Sequence, residues 1–392
     1  MAESIGTWVR RGRTELHLTT AELALAAGLP GDRVMEIERG TNEGTLFELG
    51  QVARIIGYDL AGWDPDEEPA PRPLPTVQTL FKSVERALPI EQWPRVLEIA
   101  EVAREIVTLE RLLGLPDRMT TLRRAWIPDA NIGDPPWRDG QRLAQGLRAT
   151  PALQQGWRFT ESVREVCQQL GVVVIESMLP EGIDALCFAD EVHGPAIVVD
   201  VSVHALTYRF RLAHELCHVL FDRYALDPLQ RFDRFDRRRG EDKPAIERRA
   251  DAFAIHLLAP EDAFRAHWQT QRSQGRDFEQ CIRSCMEQYG TSFQATYTHA
   301  LNLRLLTLDE LASLSSVDPT PPPRFVELER DPTSLSAFSP LPRERRGPLL
   351  KLTLTALSRG LISRSRALEL LHIHGEVFAR KYDEWTQALG IA

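Results

Sequence analysis

Apolar residues recur at helical spacing through most of this 392-residue chain. They run on without a break, as buried strands do, in only two short places. Near the N-terminus the spacing predicts four helices: Ile5 to Leu16, Leu18 to Gly28, Asp32 to Gly40 and Thr45 to Gly57. Thr19, with Glu22 three residues on, reads as a capping box that starts the second of them. A longer helix is expected from Glu91 to Leu113, with Val96, Ile99, Val102, Ile106, Leu109 and Leu113 on one stripe. That stripe suits packing on a neighbouring domain or pairing with a second copy as a homodimer. The two apolar runs, Gly171 to Ile175 and Pro195 to Asp200, predict strands. Phe210 to Phe221 then reads as a buried helix. A second core-facing helix follows from Glu247 to Pro260, where Ala250, Phe253, Ala254, Leu257 and Leu258 share a face. Residues 345–392 look helical again, with Leu349 to Leu357 and Arg366 to Leu371 the clearest stretches. The expected fold class is mainly α with a small β-sheet, that is, α+β.

Breakers divide this pattern. Trp63 to Pro75 is dense in proline and acid, which favours an extended, semi-rigid spacer. A second breaker, Asp318-Pro-Thr-Pro-Pro-Pro323, follows Val317. The expected organisation is an N-terminal helical domain at 1–62, a linker at 63–75, a helical connector at 76–134, a central domain at 135–310, and a linker with a C-terminal helical tail at 311–392.

Composition narrows the class of protein. The formal charge of −9 argues against a chain that coats nucleic acid or an anionic membrane as a whole. Five cysteines form an odd set without framework spacing, as in a reducing compartment. Cys281 and Cys285 read as unpaired thiols. No secretory leader and no run of 18 apolar residues is visible. A cytoplasmic protein that does not engage membranes is expected.

The chemistry sits in His214-Glu215-Leu216-Cys217-His218. Positions four apart share a helix face, so His214 and His218 can turn both imidazoles to one cation. Glu215, one residue along, is placed to reach a water on that cation. This is the HExxH arrangement of zinc hydrolases. Glu247 lies in the first turn of the second core-facing helix and completes a three-ligand set for one Zn²⁺ per chain. Asp251, a turn later, is placed to fix the tautomer of a ligand histidine. HExxH followed by ExxxD on a second helix is the gluzincin pattern. Ordinary surface charge would not explain two His and one Glu embedded among apolar residues, where an unpartnered polar group is costly.

The surroundings add a resemblance. Two strands leading into Arg209-Phe210-Arg-Leu-Ala-His-Glu215, then Glu247-Arg-Arg-Ala-Asp-Ala-Phe-Ala-Ile-His-Leu-Leu-Ala-Pro260, resemble the ImmA/IrrE metallopeptidases. The likeness covers about residues 135–310, and residues 287–303 resemble the family's closing helix-turn-helix-like segment. Cys217 stands where the family usually has Gly, and Ala259 where it often has Met; neither is a ligand position. Cys217 reads as a small buried hydrophobe. The N-terminal helices resemble an Xre/Cro-type helix-turn-helix domain. The resemblance implies a zincin-like peptidase domain behind a helix-turn-helix bundle. Its implied substrate is one partner protein, a helix-turn-helix repressor, cut to switch on stress-response, mobile-element or phage-defence genes. The alternative is a DNA-binding regulator or antitoxin-like module whose zinc domain senses or binds.

Three details stay open in the sequence. Arg10, Arg11, Arg13 and Arg33 are positioned to supply DNA phosphate contacts through residues 1–62, but Asp32, Glu36 and Glu38 crowd the expected recognition helix with acid. An oxyanion donor is expected, with Tyr224, His256, Tyr289 and His299 as candidates, each also readable as structural. Ile197 to Asp200 is expected to pair with an extended substrate. The Arg-Phe-Asp run at Arg231 to Gly240, between the two zinc helices, reads either as a solvated loop or as a substrate-engaging flap.

Overall fold

The computed structural model describes residues 4–57, 89–124, 135–150, 162–222, 245–312, 325, 329 and 338–391. The linker expected at 63–75, the run Arg231 to Gly240 and Tyr224 lie outside them. The chain falls into two compact units, one taking in Met1–Arg104 and Pro180–Gly182, the other Glu105–Leu179, Ile183–Ala225 and Gly240–Ala392.

In the first unit four short helices follow one another: α1 (Ile5–Glu15), α2 (Thr20–Ala26), α3 (Arg33–Arg39) and α4 (Leu46–Ile56). Thr19 and Thr45 start α2 and α4 with complete capping boxes, closed by Glu22 and Glu48. Gly40 and Gly57 end α3 and α4 in the left-handed region. Val9, Leu23, Val34, Ile37, Val52 and Ile56 are buried at helical spacing. The long helix α5 (Trp93–Leu112) follows, assigned to this unit as far as Arg104 and to the second from Glu105, and Val96, Ile99, Val102, Ile106 and Leu109 are buried along it as the stripe predicts.

The second unit contains α6 (Arg118–Arg124), α7 (Pro136–Arg148) and α8 (Val163–Gln169) before a three-stranded sheet. Its strands are β1 (Val173–Ser177), β2 (Ala185–Asp190) and β3 (Gly194–Asp200), in the order β1-β3-β2. β3 is parallel to β1 and antiparallel to β2. The expectation that Ile197 to Asp200 would take up a substrate is therefore corrected. Those residues are hydrogen-bonded within the sheet on both sides, and the outer strands are β1 and β2.

α9 (Ala205–Cys217) leads directly into a π-helical turn, His218–Asp222. α10 (Ala245–Leu258) packs on both α9 and α7. Val174, Ile197, Leu212, Leu216, Phe221, Ala250, Phe253 and Leu257 join one apolar core, with Cys217 fully buried in it. The α7–α10 contact is close because Gly140 has no side chain. A Cβ there would lie 2.2 Å from the Arg249 carbonyl oxygen and 2.7 Å from the Phe253 nitrogen.

α11 (Glu261–Ser273), α12 (Phe278–Tyr289) and α13 (Phe293–Asn302) enclose a second core around Phe264, Trp268, Met286 and Tyr289. The short α14 (Leu308–Ala312) follows. The tail forms α15 (Pro348–Ser358), α16 (Arg364–Leu371) and α17 (Gly375–Ala388), with its own core of Phe338, Leu350, Leu354, Leu371, Phe378 and Trp385. Glu329 is buried and accepts from Ser162 Oγ and from the backbone N–H groups of Val163 and Arg164, capping α8. It also pairs with the fully buried Arg209 of α9. No helix among the described residues is long and apolar enough to cross a membrane.

Candidate metal centre

The structure brings His214, His218 and Glu247 together. One potential ligand atom from each lies within 4.8 Å of the other two. The Nε2 atoms of the histidines are 3.1 Å apart, and the Glu247 carboxylate lies 3.1 Å from His214 Nε2 and 3.4 Å from His218 Nε2. Both histidines are buried. The i, i+4 spacing across the α9–π junction stacks their rings edge to face.

Carboxylates behind the rings fix their tautomers. His214 Nδ1 lies 3.0 Å from Asp251 Oδ1, and His218 Nδ1 lies 2.6 Å from Asp222 Oδ2. A carboxylate only accepts, so each Nδ1 carries a proton, and whenever the ring is neutral its Nε2 presents a lone pair forward. Asp222 is itself completely buried and pairs with the guanidinium of Arg249 on α10. Arg249 in turn lies 3.8 Å from Asp139 on α7. A line of alternating charge thus runs through the core to His218. Asp251 is placed behind His214, where the sequence puts it. Asp222 was not anticipated, although its spacing four residues past His218 is the visible signal.

This donor set fits a cation. Two imidazole lone pairs and two carboxylate oxygens converge, an arrangement that repels itself unless positive charge lies among them. Proton affinities carry the same message. Burial pushes the His214 and His218 imidazoles toward the neutral form. Hydrogen bonds to carboxylates, from Asp251 and Glu247 on His214 and from Glu247 on His218, outweigh that and raise both pKa values. Burial pushes the Glu247 carboxyl up, but the two histidines overcome it and hold the group well below the usual carboxylate range. Nitrogen and oxygen ligands of this kind suit Zn²⁺.

Glu215 is buried beside this cluster, and its Oε2 has no hydrogen-bond partner among the described residues. Burying a carboxylate oxygen unsatisfied is costly, and such exceptions gather at reactive sites. β2 supplies a neighbour: Cys187 bonds to Glu215, and burial followed by the Glu215 charge pushes the Cys187 thiol far up. The thiol is therefore protonated and able to donate.

The other sequence candidates lie elsewhere. Tyr289 is buried against Phe264 in the second core, and His299 donates to the Ala259 carbonyl. His256 stacks edge-on against His299. Arg13 makes a two-pronged pair with the buried Glu38, at 2.6 and 2.9 Å, and Arg10 donates to the Glu38 carbonyl. Arg33 is held by Glu48 and Glu36. Arg11 is half-buried in α1.

No curated protein matches the chain. Residues 167–300, which contain the sheet, both histidines, Glu215, Glu247 and Asp251, match the family model described as the IrrE N-terminal-like domain, Peptidase_M78, and so support a peptidase of the ImmA/IrrE kind.

Proposed function

We propose that this protein is a zinc-dependent regulatory endopeptidase, with one Zn²⁺ per chain held by His214, His218 and Glu247. The observation that carries the reading is the convergence of two tautomer-fixed imidazoles and a carboxylate beside an unsatisfied, buried Glu215 oxygen. When bound, zinc supplies Lewis acidity that lowers the pKa of water and polarises a carbonyl. Glu215 acts as the catalytic base, taking the proton of the attacking water and returning it to the leaving amine. Cys187 holds one side of the Glu215 carboxylate and leaves Oε2 for that transfer. The outer edge of β2 takes the place once expected of β3, offering main-chain hydrogen bonds to an extended peptide.

The substrate in this reading is one partner protein, a helix-turn-helix repressor. Its removal switches on stress-response, mobile-element or phage-defence genes. Residues 1–62 form an Xre/Cro-type helix-turn-helix domain that recognises the partner. Because Arg13 and Arg33 are already spent on Glu38, Glu48 and Glu36, DNA binding by this domain is weak and steeply salt-dependent. The reading as a DNA-binding regulator would require tight sequence-specific binding without cleavage.

The test is co-expression with candidate repressors, comparing wild type with Glu215→Gln by intact-mass analysis. Wild type should cut one repressor at one or few places, and the variant should leave it whole while keeping its metal. Equal cleavage by both would refute the role of Glu215. Digestion of unrelated unfolded proteins would leave only a general peptidase.

A further inference from the structure

A cavity of about 920 Å³ lies among α7, α9, α10, α11 and α13. Asp251 is in its wall, whereas His214, Glu215, His218 and Glu247 are not. The volume is that of a small-molecule site.

Five arginines line the cavity: Arg138, Arg211, Arg248, Arg265 and Arg304. Two of them are neutralised, Arg211 by Asp184 at 2.7 Å and Arg265 by Glu261 at 2.8 Å. Asp251 is committed to His214. Among the described residues no carboxylate pairs with Arg138, Arg248 or Arg304, which leaves the wall with surplus positive charge.

A second observation is independent of charge. His256 lines the cavity, is nine-tenths buried and has no hydrogen-bond partner among the described residues. Its ring nitrogens are not among the sealed, unsatisfied polar atoms of the described residues, so they stay accessible to whatever enters the cavity. Burial pushes its pKa down to about 4, so the ring is neutral and offers one donor and one acceptor. Apolar surface is present too, from Trp137, Phe210 and Ile255.

We propose that this cavity binds a small organic anion, its phosphate or carboxylate group held by Arg138, Arg248 and Arg304 and its body set against Trp137, Phe210 and the imidazole of His256. Inorganic ions are too small to use the apolar wall. Occupancy is felt at the metal centre, because Arg248 and Asp251 flank the cavity on the same helix that carries Glu247. That coupling rests on the zinc reading, but binding itself does not.

Isothermal titration calorimetry of the full chain tests the proposal with four probes: inorganic phosphate, AMP, citrate and a hexaglutamate peptide. AMP or citrate should bind more tightly than phosphate, and more weakly as salt rises. The double variant Arg248→Ala/Arg304→Ala should weaken that binding by about tenfold or more, as loss of charge-assisted bonds implies. Arg304→Glu, at an exposed turn after α13, repeats the test should the double variant fold poorly. The proposal fails if AMP and citrate do not bind at millimolar concentration, or bind folded variants as well as wild type. It also fails if only hexaglutamate binds, which would make the cavity a dock for an acidic protein segment. Unaltered zinc release on saturation with AMP would remove the coupling alone.

Discussion

Asp222 gives the sharpest perturbation of the metal centre that leaves every proposed ligand in place. In Asp222→Asn the amide keeps the shape of the carboxylate but loses its charge. The side chain is fully buried and stands between the His218 imidazole and the equally buried Arg249. Its carbonyl oxygen can still accept from His218 Nδ1, but its NH₂ then faces the guanidinium, donor against donor. Arg249 is left with Asp139 at 3.8 Å as its nearest described carboxylate. Breaking one side of a buried ion pair costs on the order of 3–5 kcal/mol. Loosening a ligand histidine's partner costs about 10- to 100-fold in metal affinity. Asp251→Asn is the control, since it weakens an equivalent bond to His214 in the same way, at a carboxylate that is 37% exposed. It should lose a similar factor in zinc affinity but only about 1 kcal/mol or less in stability. Urea unfolding of chelator-treated protein reads the stability, and competition with a chromophoric chelator reads the zinc affinity. If Asp222→Asn unfolds within about 1 kcal/mol of wild type and binds zinc equally well, the charge line does not support the site.

Gly140→Ala should destabilise the second unit, because the added methyl collides with the α10 backbone at Arg249 and Phe253. A cost of roughly 3 kcal/mol or more is expected, with zinc lost alongside; a thermal midpoint unchanged from wild type would show that α7 and α10 separate easily. Acid should weaken the fold through His256 and His299, which burial pushes down from 6.5 to about 4 and about 3. The unfolded chain takes up these protons below pH 6.5 and the folded chain does not. Stability is therefore full above pH 6.5 and declines as pH falls toward 4, by on the order of several kcal/mol for the pair. A His299→Gln variant should show a shallower decline between pH 6.5 and 4.5, and equal slopes would argue against the assignment.

The candidate metal-site residues were legible because periodicity puts each pair of them on one helix face. His214 and His218 share a helix face, and Glu247 and Asp251 share another, and the packing of the two helices brings the faces together. What escaped depends on tertiary partners. Nothing in the spacing marks Arg249 of α10 as buried, yet it lies inside against Asp222 and Asp139. α7 was not singled out, because Pro136 and Gly140 break the apolar spacing there. Proline suits a helix's first turn, and the glycine is needed for the close contact with α10. β2 is short and flanked by acids, so its alternation is faint, and missing it made β3 look like an open edge. The acid-rich α3 looked hostile to DNA, but Glu38 turns inward to Arg13, a pairing that spacing along the chain does not reveal.

The central claim is that His214, His218 and Glu247 hold a zinc ion, and metal content measured by inductively coupled plasma mass spectrometry tests it most directly. Protein purified without added metal and mildly dialysed should carry about one zinc per chain, as a three-ligand site with one open position would. Glu247→Ala should lose most of it with its circular dichroism unchanged. Wild-type protein that is folded and free of divalent transition metal, or a Glu247→Ala variant that retains a full equivalent, would contradict the account.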